Sequence, residues 1–74
     1  MTDPKAGFAV MAGTEIDVLT VTDNEWQTML VALSRAGVQT ACRDRNCDCV
    51  ANAFAQYLPG AVIVPVLVSR INHS

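Results

Sequence analysis

Hydrophobic positions along the chain follow two different spacings, and these divide it into five elements. Residues 7–22, GFAVMAGTEIDVLTVT, hold two short apolar stretches on either side of Gly13-Thr14. Glycine followed by a small polar residue suits a type II′ turn, whose first central position needs a positive φ. The segment therefore predicts a β-hairpin. In its second strand Ile16 and Val18 are expected to point one way, with Glu15, Asp17 and Leu19 pointing the other.

The period then changes. Trp26, Met29, Leu30 and Leu33 follow the 3, 4, 7 spacing of one buried helical face, with Val31 on the opposite side between Gln27 and Arg35. The run VTDNEW offers a capping box between Thr22 and Glu25, flanked by Val21 and Trp26 at the staple positions. These signals predict a helix from about Asp23 to Ala36. Gly37 stands where a left-handed residue closes a helix, with Val38 placed to pack back on Leu33.

A second helix is predicted from about Asn46 to Leu58. Cys47, Val50, Phe54, Tyr57 and Leu58 share one side of its wheel, and Asp48, Asn52 and Gln56 the other. Pro59 disfavours helical geometry at Leu58 and ends it. Residues 38–45 fit either a loop or an early extension of this helix. The final element, AVIVPVLVSR, is a strand that is apolar on both faces. Val62, Val64, Val66 and Val68 occupy one face, and Ile63 and Leu67 the other.

The order ββααβ implies an α+β fold in a single small domain. Two helices pack on one face of a three-stranded, antiparallel sheet, and residues 1–6 and 71–74 are expected to be frayed tails. Pro65 cannot donate to a ladder, which points to an edge position for the last strand. One layer of helices leaves one face of that strand bare. A homodimer or an obligate protein partner is therefore expected, with Ile63 and Leu67 in the interface and Val31 at its rim or on a separate patch.

Composition narrows the class. The chain has 74 residues, of which 51% are hydrophobic and 16% charged, so it folds, but with a small core. A formal charge of −2, with five scattered basic residues, argues against nucleic acid as a partner. The MTDPK start is no secretory signal. The longest apolar run, AVIVPVLV, is too short for a membrane helix. A cytoplasmic protein is expected, encoded by a complete small reading frame. Helix-turn-helix and ribbon-helix-helix arrangements do not fit. The first would put Arg43 and Asn46 at inward positions, and the second would turn Glu15 and Asp17 toward phosphates.

All three cysteines lie in CRDRNCDC, from Cys42 to Cys49. A structural zinc site wants four ligands, usually in Cys-x₂₋₄-Cys pairs. Here the spacing is Cys-x₄-Cys-x-Cys, and the single histidine is His73 in the tail. If Cys47 and Cys49 both lay on a helix, their side chains would diverge by roughly 160–200°. No metal and no cofactor is therefore expected. A Cys42–Cys49 disulfide is the candidate redox pair, and its loop closure would stabilise by about 2.5 kcal/mol. A packing role is the simplest reading, because free cysteine behaves as a small buried hydrophobe.

No catalytic constellation is visible. The glycines Gly7, Gly13, Gly37 and Gly60 punctuate turns instead of forming a phosphate loop. The expected function is that of a non-enzymatic protein-binding module that inhibits or regulates a partner. Phage- or mobile-element-type inhibitors of host defence are one such case, by analogy with other small proteins. The alternative is a cysteine-dependent redox or zinc-binding module, and a small dimeric DNA-binding regulator stands third.

Overall fold

The computed structural model describes residues 5–40, 42 and 44–68. Its elements are β1 (Lys5–Ala12), β2 (Glu15–Thr22), α1 (Glu25–Arg35), α2 (Cys49–Tyr57) and β3 (Ala61–Val68). The fold is α+β in the order ββααβ, with a three-stranded antiparallel sheet in the spatial order β2-β1-β3. Both helices pack on one face of the sheet. No helix among the described residues is long and apolar enough to cross a membrane.

Local signals explain most of the joints. Gly13 has a φ of 66° while Thr14 stays negative, as a type II′ hairpin turn requires. At the end of α1, Gly37 takes a φ of 77°. Gly37 N–H donates to Ser34 O at 3.1 Å and Val38 N–H to Leu33 O at 2.9 Å, the paired bonds of a Schellman motif. Pro59-Gly60 forms the turn into β3, closed by Ala61 N–H donating to Leu58 O at 3.1 Å.

Both helices begin later than their sequence patterns suggest. The residue capping α1 is Asn24, whose side chain accepts from Gln27 N–H at 2.7 Å. The expected Thr22–Glu25 box does not form, because Thr22 Oγ1 lies 2.7 Å from Asn24 O and 2.6 Å from Thr28 Oγ1. The buried stripe of α1 is also rotated from the expected one. It runs through Thr28, Ala32 and Leu33, while Trp26 and Leu30 are half-buried. α2 begins at Cys49 instead of Asn46. Asp44 O accepts from Cys47 N–H, and Asp44 Oδ1 from Asn46 N–H, both at 3.0 Å, which closes a tight turn ahead of the helix.

The core lies between the sheet and the helices. Val10, Ala32 and Phe54 form its centre, with Met29, Leu58, Ala61 and Ile63 packed against them. Leu33 and Val50 are fully buried as well. This arrangement decides which face of β3 is covered. Ile63 stands opposite Val10 on β1, so its parity is the helix-covered one. Ile63, expected in an interface, packs instead against the core, while Leu67, of the same parity, is 74% exposed, and Val62, Val64, Val66 and Val68 share the opposite face.

Candidate functional sites

The open face of the sheet is built by register. Gly7, Ala9 and Met11 of β1 stand opposite Val66, Val64 and Val62 of β3. Ile16 of β2 stands opposite Met11 from the other side. At Gly7 and Ala9 the middle strand thus carries small residues between taller aliphatic ones. The result is a shallow groove of about 450 Å³ lined by Ile16, Val18, Val21, Val66, Leu67 and Val68. Gly7 is required at its floor. A Cβ there would lie 2.9 Å from the Thr22 carbonyl oxygen, with Val68 and Val21 side chains 3.5 and 3.7 Å away.

One rim of this groove comes from a break in β2. Phe8 pairs with Thr22 and Val10 with Asp17, so the single residue Ala9 on β1 faces Val18, Leu19, Thr20 and Val21 on β2. A bulge of this size leaves backbone groups of β1 without ladder partners. Threonine hydroxyls replace them. Thr20 Oγ1 accepts from Val10 N–H at 2.9 Å and donates to Asp17 O at 2.7 Å. Thr28 Oγ1 donates to Phe8 O at 3.0 Å. Both threonines are fully buried. The bulge meanwhile pushes Val18 and Leu19 outward, to 74% and 61% exposure.

Of the expected interface residues, Leu67 borders the groove from the Ile63 side of β3 and is 74% exposed. Val31 sits on the outer flank of α1 beside Gln27, Leu30 and Ser34, on the other side of the sheet from the groove. The structure therefore does not bring Val31, Ile63 and Leu67 together. Sequence reasoning set Ile16 and Val18 on one side of β2 but did not join Val21 to them, because a regular strand alternates and Val21 reaches the groove only through the bulge. The only local hint is the TVT run, polar residues placed where a regular strand would carry apolar ones.

The cysteines form a second cluster. The sulfurs of Cys42, Cys47 and Cys49 all lie within 4.8 Å of one another, and each cysteine is half-buried. Cys47 and Cys49 are joined as a disulfide, with Cα atoms 5.4 Å apart, and Cys42 is the free thiol. The joined pair is Cys47–Cys49 and not the candidate redox pair Cys42–Cys49. The reason is the late start of α2. Cys47 precedes the helix, so its side chain is free to turn toward Cys49. Backbone donors face two of the sulfurs. Asp44 N–H donates to Cys42 Sγ at 3.5 Å and Cys49 N–H to Cys47 Sγ at 3.3 Å.

Trp26 ties this loop to α1. The guanidinium carbon of Arg45 stands 5.2 Å from the centroid of the indole ring, a cation–π contact worth ~0.5–1 kcal/mol at such a site. The tryptophan expected as a core anchor is therefore half-buried and serves as a shelf for the cysteine loop.

Searches with protein-family models, curated protein sequences and solved structures return no match to this chain.

Proposed function

We propose that the chain is a non-enzymatic module that acts by protein–protein contact, and that its first contact is with a second copy of itself through the open face of the sheet. The observation that carries this reading is the bare aliphatic groove, with Val18 and Leu67 each 74% exposed on its rims. Its lining is wholly aliphatic, so it holds no group that takes or gives a proton. A single positive residue, Lys5, stands at one end of that face, opposite Val68. Away from Lys5 the face is uncharged and so chemically complementary to itself, as a two-fold contact between identical surfaces requires. Its relief suits the same contact, because aliphatic side chains on one copy can enter the groove between β2 and β3 of the other.

Edge-to-edge pairing is the competing way to join two sheets, and it fits less well. Pro65 removes a donor from the outer side of β3, and the bulge interrupts β2. Burial of each valine or leucine contributes roughly 1.5–3 kcal/mol before the cost of association is subtracted.

Light scattering at micromolar concentration is expected to give twice the 7.9 kDa chain mass. Val18→Asp is expected to shift the protein to monomer with its circular dichroism unchanged, because Val18 lies in the exposed bulge and supports no core contact. A wild-type monomer at every concentration would refute the self-association reading. A dimer unaffected by Val18→Asp and Val66→Asp would move the contact to another surface.

A further inference from the structure

We propose that Cys42, Cys47 and Cys49 form a three-sulfur site for a soft closed-shell metal ion, and that monovalent copper is the ion it fits. Two grounds in the sequence count against a metal, a missing fourth ligand and divergent Cys47 and Cys49 side chains. The second ground disappears in the fold. Cys47 lies ahead of α2, Cys49 is its first residue, and the three sulfurs converge within 4.8 Å. The first ground then selects the ion. Sulfur donors favour copper(I), zinc and iron–sulfur clusters. Structural zinc is four-coordinate, and iron–sulfur clusters take four cysteines. Among the described residues the cluster has three donors, and copper(I), with a filled d shell, is satisfied by three sulfurs in a plane.

The surroundings suit anionic sulfur. The N–H groups of Asp44 and Cys49 already point at Cys42 and Cys47. Cys49 opens the nine-residue helix α2, whose N-terminus favours negative charge. Arg45 on Trp26 holds the turn between the first and second cysteines against α1, so the site is placed by the fold and not only by the loop.

The disulfide and the ion exclude each other. A phosphine reductant with one water cleaves the Cys47–Cys49 bond, giving two thiols and the phosphine oxide. Loading copper(I) then displaces three thiol protons as three Cu–S bonds form. Occupancy is thereby gated by the redox state of the Cys47–Cys49 pair.

The test uses the full chain, reduced with a phosphine under anaerobic conditions. It is titrated with copper(I) against a competing copper(I) chelator. The expected result is one ion per chain, an ultraviolet sulfur-to-copper charge-transfer band, and protection of all three cysteines from alkylation. Cys42→Ser removes the thiol that is free in the oxidised fold. It is expected to weaken uptake by well over about 10-fold with the fold intact by circular dichroism. The oxidised protein is expected to take up none. The proposal is overturned if the reduced wild type binds no better than Cys42→Ser. It is equally overturned if equimolar zinc(II) displaces the copper.

Discussion

The two edge strands of the sheet are rich in the same β-branched and apolar residues, yet they meet the central strand in opposite ways. β3 pairs with β1 without interruption from Lys5–Val68 to Ala12–Ala61. β2 pairs at its two ends and bows away between them, so that four of its residues face Ala9 alone. An open edge is a template for unwanted pairing, and each strand carries a different protection against it. β3 carries Pro65, which lacks the donor that a further strand would need. β2 carries the bulge, which turns its middle out of line. With both edges blunted, the remaining apolar surface is the face between them. The cost of the bulge is borne by two buried hydroxyls, while the cost of the proline is close to nothing because its nitrogen faces away from the ladder.

The largest expected effect comes from breaking the repair of the bulge. Thr20→Val combined with Thr28→Val keeps the shape but leaves Val10 N–H and Phe8 C=O without their partners. The loss should be about 2–5 kcal/mol for the two groups together. In a domain of this size each kcal/mol lowers the melting temperature by roughly 4–8 °C. A double variant that melts with the wild type would mean that β2 can re-pair regularly with β1, and that the bulge is not fixed by these bonds.

A smaller effect is expected at the point where the two edges approach each other over β1. Gly7→Ala places a methyl 2.9 Å from the Thr22 carbonyl oxygen, which is backbone and cannot swing aside. Overpacking of this kind costs about 1–3 kcal/mol. The same methyl would fill the groove floor, so the variant should also dimerise more weakly. Chemical denaturation and sedimentation read the two consequences separately. Unchanged values in both would place Val21 and Val68 farther apart than they stand here.

The smallest effect on stability should come from Pro65→Thr. It restores an outward donor on an exposed position, and surface changes of this kind fall within about 0.5 kcal/mol. Its expected consequence is in solubility, with faster aggregation on heating than the wild type. A variant as soluble as the wild type would show that Pro65 is not what protects the β3 edge.

What could be read directly from the chain was local. The Gly13-Thr14 turn, the Gly37 stop, the Pro59-Gly60 turn and the edge position of β3 each depend on one or two residues whose backbone preferences hold in any context. The element order and the α+β class follow from those stops together with the two hydrophobic periods. The helix starts were less legible, because Thr22, Asn24 and Asp44 each offer a side chain that can bond to more than one nearby backbone group. Local competition among those bonds is settled by the rest of the fold.

Only the tertiary structure decided the groove, its threonine supports and the cysteine cluster. Thr20 and Thr28 look like solvent-facing positions until the fold buries them and their hydroxyls bond Val10 N–H and Phe8 C=O. The two faces of β3 are equally apolar in sequence, so pattern alone leaves open which one the helices take. The register of β3 against β1 settles it, by placing Ile63 over Val10. The cysteines diverge on a helical wheel and converge in the fold, because the Asp44 turn delays α2 until Cys49. Each of these outcomes depends on groups brought together by pairing and packing between elements, and spacing along one element carries no information about them.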